Sequence, residues 1–265
     1  MGEIIAVVNN KGGVGKSVVS TSIASALGSN TRSVLVVDMD AQCDSTDNLG
    51  LSSVEEKNTL CGMIKSFLDT DNVNIKEYIH STEDRGVSVI PNHEETAWLE
   101  TELYRNIPEN FYILRKLLRD YAKKNYDYTI LDTPPNMGIF VTMAMIASDF
   151  VIVPVEGGSL RSVKGLNRAI STINEIKETA NSDLKFLRLL LNRVDMRTSI
   201  SKAVSDHLIN KFGKSMMFET VIPQNTIVQQ SEAARISLMK LSPSSKSAHR
   251  FRSLAKEILQ MTGGE

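Results

Sequence analysis

The chain has 265 residues, 42% apolar and 23% charged, which suits a globular α/β protein of one large or two small domains. A net charge of −1, with no apolar run near a membrane-span length, argues against a membrane-embedded chain or one held to polyanions by bulk charge. Two cysteines and four scattered histidines exclude a disulfide framework and a paired-histidine zinc site, and they fit a reducing cytoplasm.

Met1-Gly2-Glu3 lacks a basic flank, so no secretory leader is expected. Apolar runs at 3–8, 34–38, 87–90, 128–132, 149–154, 186–191 and 217–222 predict strands. They are mostly continuous rather than alternating, as in parallel strands buried on both faces. Helical stretches are predicted between them at 17–28, 60–69, 94–104, 109–123, 139–147, 160–179, 198–212 and 244–261. This alternation predicts an α/β fold, a doubly wound, mostly parallel sheet with helices on both faces and ligands at the strands' carboxyl ends. With no internal repeat or dividing linker, one domain over 1–265 is expected.

After the first strand comes Asn9-Asn10-Lys11-Gly12-Gly13-Val14-Gly15-Lys16-Ser17, opening into a helix-compatible stretch. Strand, glycine-rich loop and helix form the setting of a phosphate-binding loop. Backbone N–H groups of Gly12 to Val18 would close around phosphate oxygens, helped by the helix N-terminus. Lys16 would reach the β- and γ-phosphates, and the Ser17 hydroxyl would ligate Mg²⁺. The strict pattern fails, because Asn10 stands where its first glycine belongs and Lys11 adds a second lysine.

The loop resembles the deviant Walker A loop of the ParA/MinD family of P-loop ATPases. The resemblance implies that Lys11 reaches across an ATP-sandwich homodimer to the partner's phosphates. In Asp38-Met39-Asp40-Ala41-Gln42, Asp40 lies just past the second strand, where a carboxylate can orient the attacking water or reach Mg²⁺ through water. Ala41 replaces the family's usual proline, and Asp44 is a second, weaker candidate. Asp132, ending the strand before Thr133-Pro134-Pro135, resembles a Walker B carboxylate holding Mg²⁺ through water. Asn192, at the end of Leu189-Leu190-Leu191, corresponds to an adenine-recognising amide, with Pro223 beside the base. Glu156, after the strand that ends at Pro154, is a candidate to face the partner subunit.

The family resemblance implies ATP-dependent dimerisation, sequence-independent DNA binding by the dimer, and slow hydrolysis accelerated by a ParB-like partner. The location implied is cytoplasmic and nucleoid-associated, with a plasmid, a chromosome or another structure as cargo. Residues 181–265 carry 13 Lys and Arg against 7 Asp and Glu, while residues 1–180 carry 17 against 24. Arg197 lies where relatives place a DNA-contacting arginine. Gln224 replaces another, leaving Lys240, Lys246, Arg250 and Arg252 as available charges. The alternatives are a MinD-like membrane-associated ATPase or a ParA-like ATPase positioning another cargo. Against the membrane, Phe251, Leu254, Ile258 and Leu259 share one helical face, as in a helix packed on a core. A nitrogenase-reductase relative, suggested by Asp44-Ser45-Thr46, would need cysteines near the dimer axis on later loops, where none occurs.

Overall fold

The computed structural model describes residues 1–158 and 166–264. Seven strands form one sheet: β1 Glu3–Val7, β2 Val34–Asp38, β3 His80–Ser81, β4 Val87–Ile90, β5 Tyr128–Asp132, β6 Phe150–Glu156 and β7 Lys185–Asn192. Their order is β3-β4-β2-β5-β1-β6-β7, with every neighbouring pair parallel except β3 and β4.

The continuous apolar runs have a direct cause. Ile4, Ala6, Leu35, Val37 and Leu131 face one core, and Ile5, Val7, Val34, Val36 and Ile130 face another on the opposite side. The first core is closed by α3 Leu60–Thr70, α4 Thr96–Leu103, α5 Asp120–Asn125, α6 Ile139–Ala147, α7 Leu166–Thr179 and α8 Ser199–Phe212. The second is closed by α1 Lys16–Leu27, the short α10 Leu238–Leu241 and α11 Lys246–Thr262. Phe251, Leu254 and Ile258 of α11 are fully buried there, as the spacing predicts.

Several elements depart from expectation. The segment 217–222 is no strand of the sheet, although it tracks β7 through isolated bridges at Leu189–Met217 and Val194–Pro223. Its Glu219 and Thr220 amides donate to the Glu257 carboxylate, at 2.9 and 2.7 Å, instead of to β7. The stretch 109–123 is broken into a 3-10 turn at Glu109–Tyr112 and a π turn at Arg115–Arg119 before α5. Across the π turn, Arg115 and Arg119 donate to the Ile146 and Ala147 carbonyls that end α6. Among the described residues three further helices are unpredicted, α2 Asp44–Asn48, α9 Thr226–Ala234 and the short α10. Of the predicted helix over 160–179, residues 160–165 lie outside the described residues.

Register places the site. Val7 on β1 and Asp38 on β2 both pair with Asp132 on β5, so three loops leave the sheet from one level edge.

Candidate nucleotide site

The loop between β1 and α1 turns on two left-handed glycines, Gly13 at φ 76° and Gly15 at φ 82°. A side chain at Gly13 would meet nothing within 4 Å, and one at Gly12 would meet only the Pro135 Cβ at 3.7 Å. The loop is thus a cradle lined by backbone, open on the side where phosphate oxygens would sit. Behind it, Asn9 Nδ2 donates to the Pro154 carbonyl at 2.6 Å, and Asn9 Oδ1 accepts from the Lys11 amide at 2.9 Å. The Lys11 ammonium lies 2.6 Å from Glu156 Oε2 at the end of β6. Neighbouring Asn10 keeps a buried, unpartnered Oδ1.

Lys16 opens α1 and is only 7% exposed. Burial holds its ammonium below the usual lysine range, against the pull of Asp132, Asp40 and Asp44. A cation in that state is held ready for a strong anion, and polyphosphate supplies one.

The acidic side of the site is a buried pair at the ends of β2 and β5. Asp132 accepts from Ser20 at 2.9 Å and from Ser45 at 2.7 Å, and the nearby Ser17 hydroxyl pulls its carboxyl down against burial. Asp38 accepts from the Thr46 amide and hydroxyl, at 2.8 and 2.7 Å, and from the Asp40 amide at 3.1 Å. Burial, and then the Asp132 charge, push Asp38 up to about 8, and burial raises Asp132 as well. Asp40 lies beyond this pair and accepts from the Gln42 amide at 3.1 Å. Partial desolvation, and then Asp40 and Asp47, raise Asp44.

Sequence reasoning brought Ser17, Asp40 and Asp132 to this site but missed Asp38, Ser20 and Ser45. The doubled aspartate at the end of β2 was the legible signal for Asp38; the serines act only through tertiary contact.

The site fits a magnesium nucleotide. The Ser17 hydroxyl stands beside Asp132, close enough to pull its carboxyl down, so the hydroxyl would ligate the ion and the carboxylate would hold it through water. Among the described residues no cluster of three or more acidic, histidine or cysteine side chains could cage a metal. Mg²⁺ needs none, because it takes several ligands from phosphate and water. A cleft of about 140 Å³ beside the loop is lined by Val18, Asn192, Pro223, Val228 and Phe251 among others. Asn192 and Pro223, which the family resemblance sets beside the base, both line this cleft. The Asn192 amide is also engaged elsewhere, donating to the Val14 carbonyl at 2.8 Å.

The five basic candidates divide. Arg197, Lys246 and Arg250 line one groove with His249, Met196 and Gln224. Arg197 is 90% exposed at its side chain and forks onto Asp195, at 2.9 and 2.8 Å, which holds that carboxyl at about 2. Lys240 lies elsewhere, paired with Glu83 beside Gly50 and Arg235. Arg252 donates to the Pro243 carbonyl at 2.6 Å.

Comparison with known proteins accords with this geometry. The AAA domain family model matches residues 2–186. The sporulation initiation inhibitor protein Soj of Bacillus subtilis is 30% identical over 258 residues, covering 97% of this chain and 98% of Soj. The chromosome partitioning protein ParA of Myxococcus xanthus is 31% identical over 260 residues, covering 98% of this chain and 89% of that protein. Cobyrinic acid a,c-diamide synthase from Mycobacterium smegmatis, solved with an ATP analogue and magnesium, superposes with a TM-score of 0.83. It is 25% identical and covers 99% of this chain, with 96% of its own length matched. The Soj and ParA alignments run over nearly the whole chain, and the chain belongs to the Soj/ParA/MinD family of partitioning and positioning P-loop ATPases, with ATP and Mg²⁺ as its cofactors.

Proposed function

We propose that this chain is a partition ATPase that dimerises with ATP, binds DNA without sequence preference as the dimer, and segregates plasmid or chromosome DNA with a ParB-like partner. One observation carries the DNA part of this reading. Pro223, Gln224 and Asn225 line both the base cleft and the groove of Arg197, Lys246 and Arg250. A nucleotide that shifts this shared wall changes the basic groove directly. Two such grooves linked in a dimer gain effective concentration on one duplex, which converts weak phosphate contacts into retention. The groove also holds Asp195 and Glu219, so its positive charge rests on Lys246 and Arg250, with Arg197 largely offset by Asp195. The apolar face of α11 lies in the core, so a membrane-targeting role for this helix gains no support.

A salt titration of DNA retention with ATP tests the reading. Phosphate contacts weaken with log salt at a slope of about −0.9 each. Lys246→Ala with Arg250→Ala should lower affinity on every sequence alike and flatten the slope by about four contacts, two in each groove of the dimer. Lys240→Ala, on another face, should leave both unchanged. No retention by the wild type at low salt, with ATP bound, overturns the DNA reading.

A further inference from the structure

Two consecutive residues at the end of β7 reach the phosphate loop from outside the cradle. Asn192 Nδ2 donates to the Val14 carbonyl at 2.8 Å, and Arg193 Nη1 donates to the Gly13 carbonyl at 2.6 Å. Arg193 is itself left-handed, at φ 53°, which swings its side chain to the loop one residue after the strand ends. Its other terminal nitrogen lies 3.9 Å from Glu232 of α9, which fixes the guanidinium from behind. The fit is close, because a side chain at Gly15 would stand 2.7 Å from Asn192 Nδ2 and 3.4 Å from Arg193 Nε.

The consequence follows from peptide geometry. A trans peptide is planar, and its C=O and N–H point in opposite directions. Holding the Gly13 carbonyl outward therefore aims the Val14 N–H inward, and holding the Val14 carbonyl outward aims the Gly15 N–H inward. We propose that Asn192 and Arg193 are positioning residues that clamp the phosphate loop, orienting the Val14 and Gly15 amides toward the polyphosphate before nucleotide arrives. Donors already aimed at an anion cost no reorganisation when it binds. Asn192 still has its Oδ1 and a second amide hydrogen, so the clamp is compatible with contact to the base. Arg193, named by no motif of the loop, is a functional residue of the nucleotide site.

This inference rests on ATP binding at the loop, and the experiment separates the two. Calorimetry with Mg-ATP and with Mg-tripolyphosphate, which has no base, is run on wild type, Asn192→Ala and Arg193→Asn. Asparagine is chosen because it tolerates the left-handed backbone. Binding of neither ligand by wild type would sink the ATP reading itself. Losing one aimed donor should weaken both ligands about tenfold in each variant, while the nucleotide-free melting temperature of Arg193→Asn, whose side chain is part exposed, stays put. Arg193→Lys, which keeps a donor, should recover most of the loss. An ATP-only loss in Asn192→Ala would assign the amide to the base and overturn the clamp. For Arg193→Asn, a loss that vanishes at high salt would mark direct charge contact and overturn it too. If Asn192→Ala fails to fold, the part-exposed Arg193 variants decide alone.

Discussion

Within one protomer the Lys11 ammonium lies 2.6 Å from the Glu156 carboxylate, bridging the phosphate loop and the end of β6. The family resemblance gives Lys11 a task in the partner's site, so this contact is one it must leave. Both side chains are about one-third exposed, 35% and 31%, and such a pair contributes about 0–1 kcal/mol to folding. Glu156→Gln should thus leave monomer stability and monomer ATP affinity nearly unchanged. It should lower the ATP concentration at which dimer appears in light scattering, because Lys11 no longer has to be withdrawn. A weaker dimer would place Glu156 on the partner's side of the interface.

Asp40 is 9% exposed beyond the buried Asp38–Asp132 pair, and its removal leaves the phosphate loop untouched. Asp40→Ala should bind ATP with wild-type affinity and hydrolyse it at least tenfold more slowly, the cost of a lost water-orienting group. Single-turnover rates at saturating ATP measure this. An unchanged rate moves the role to Asp44.

A pH effect is expected far from the chemistry, at the opposite end of β6. Asp149 accepts from the Ile4 amide at 2.9 Å, from Arg119 at 2.5 Å and from Lys123 at 2.8 Å. Burial pushes this carboxyl up, but Lys123, the Ile4 amide and Arg119 outweigh burial and hold it below 3.8. A depressed carboxylate stabilises the fold above its unfolded pKa, and that stability is lost as pH falls through the folded value. Asp149→Asn should destabilise by about 3 kcal/mol at pH 7, since Arg119 loses its carboxylate and Lys123 keeps only Glu3, 3.6 Å away. The difference from wild type should shrink below pH 4 in urea titrations. A difference independent of pH would mean that shape, and not charge, holds this corner.

The parts of the fold legible in the sequence were those set by burial on both faces. The strand at 34–38 and the strand at 128–132 match their observed limits because every residue in them is buried. The segment 217–222 misled because its apolar residues face the cores and its Phe218 and Ile222 amides donate to β7, while Glu257, some 37 residues away, takes the Glu219 and Thr220 amides between them. The helix α2 is wholly polar in sequence, and its Ser45 and Thr46 are buried only because Asp132 and Asp38 receive them. Motif spacing made the phosphate loop and both aspartate loops readable. The contact of Arg193 with Gly13 spans 180 residues and leaves no local trace. Charge alone likewise suggested Lys240, whose partner Glu83 the sequence could not reveal.

The proposed function depends on an ATP-dependent dimer completed by Lys11 from each subunit. Gel filtration with light scattering, on wild type and Lys11→Ala in ATP and in ADP, tests it most directly. Wild type should be a dimer in ATP and a monomer in ADP, while Lys11→Ala should bind ATP yet remain a monomer in both. A Lys11→Ala protein that dimerises with ATP as readily as wild type contradicts the account.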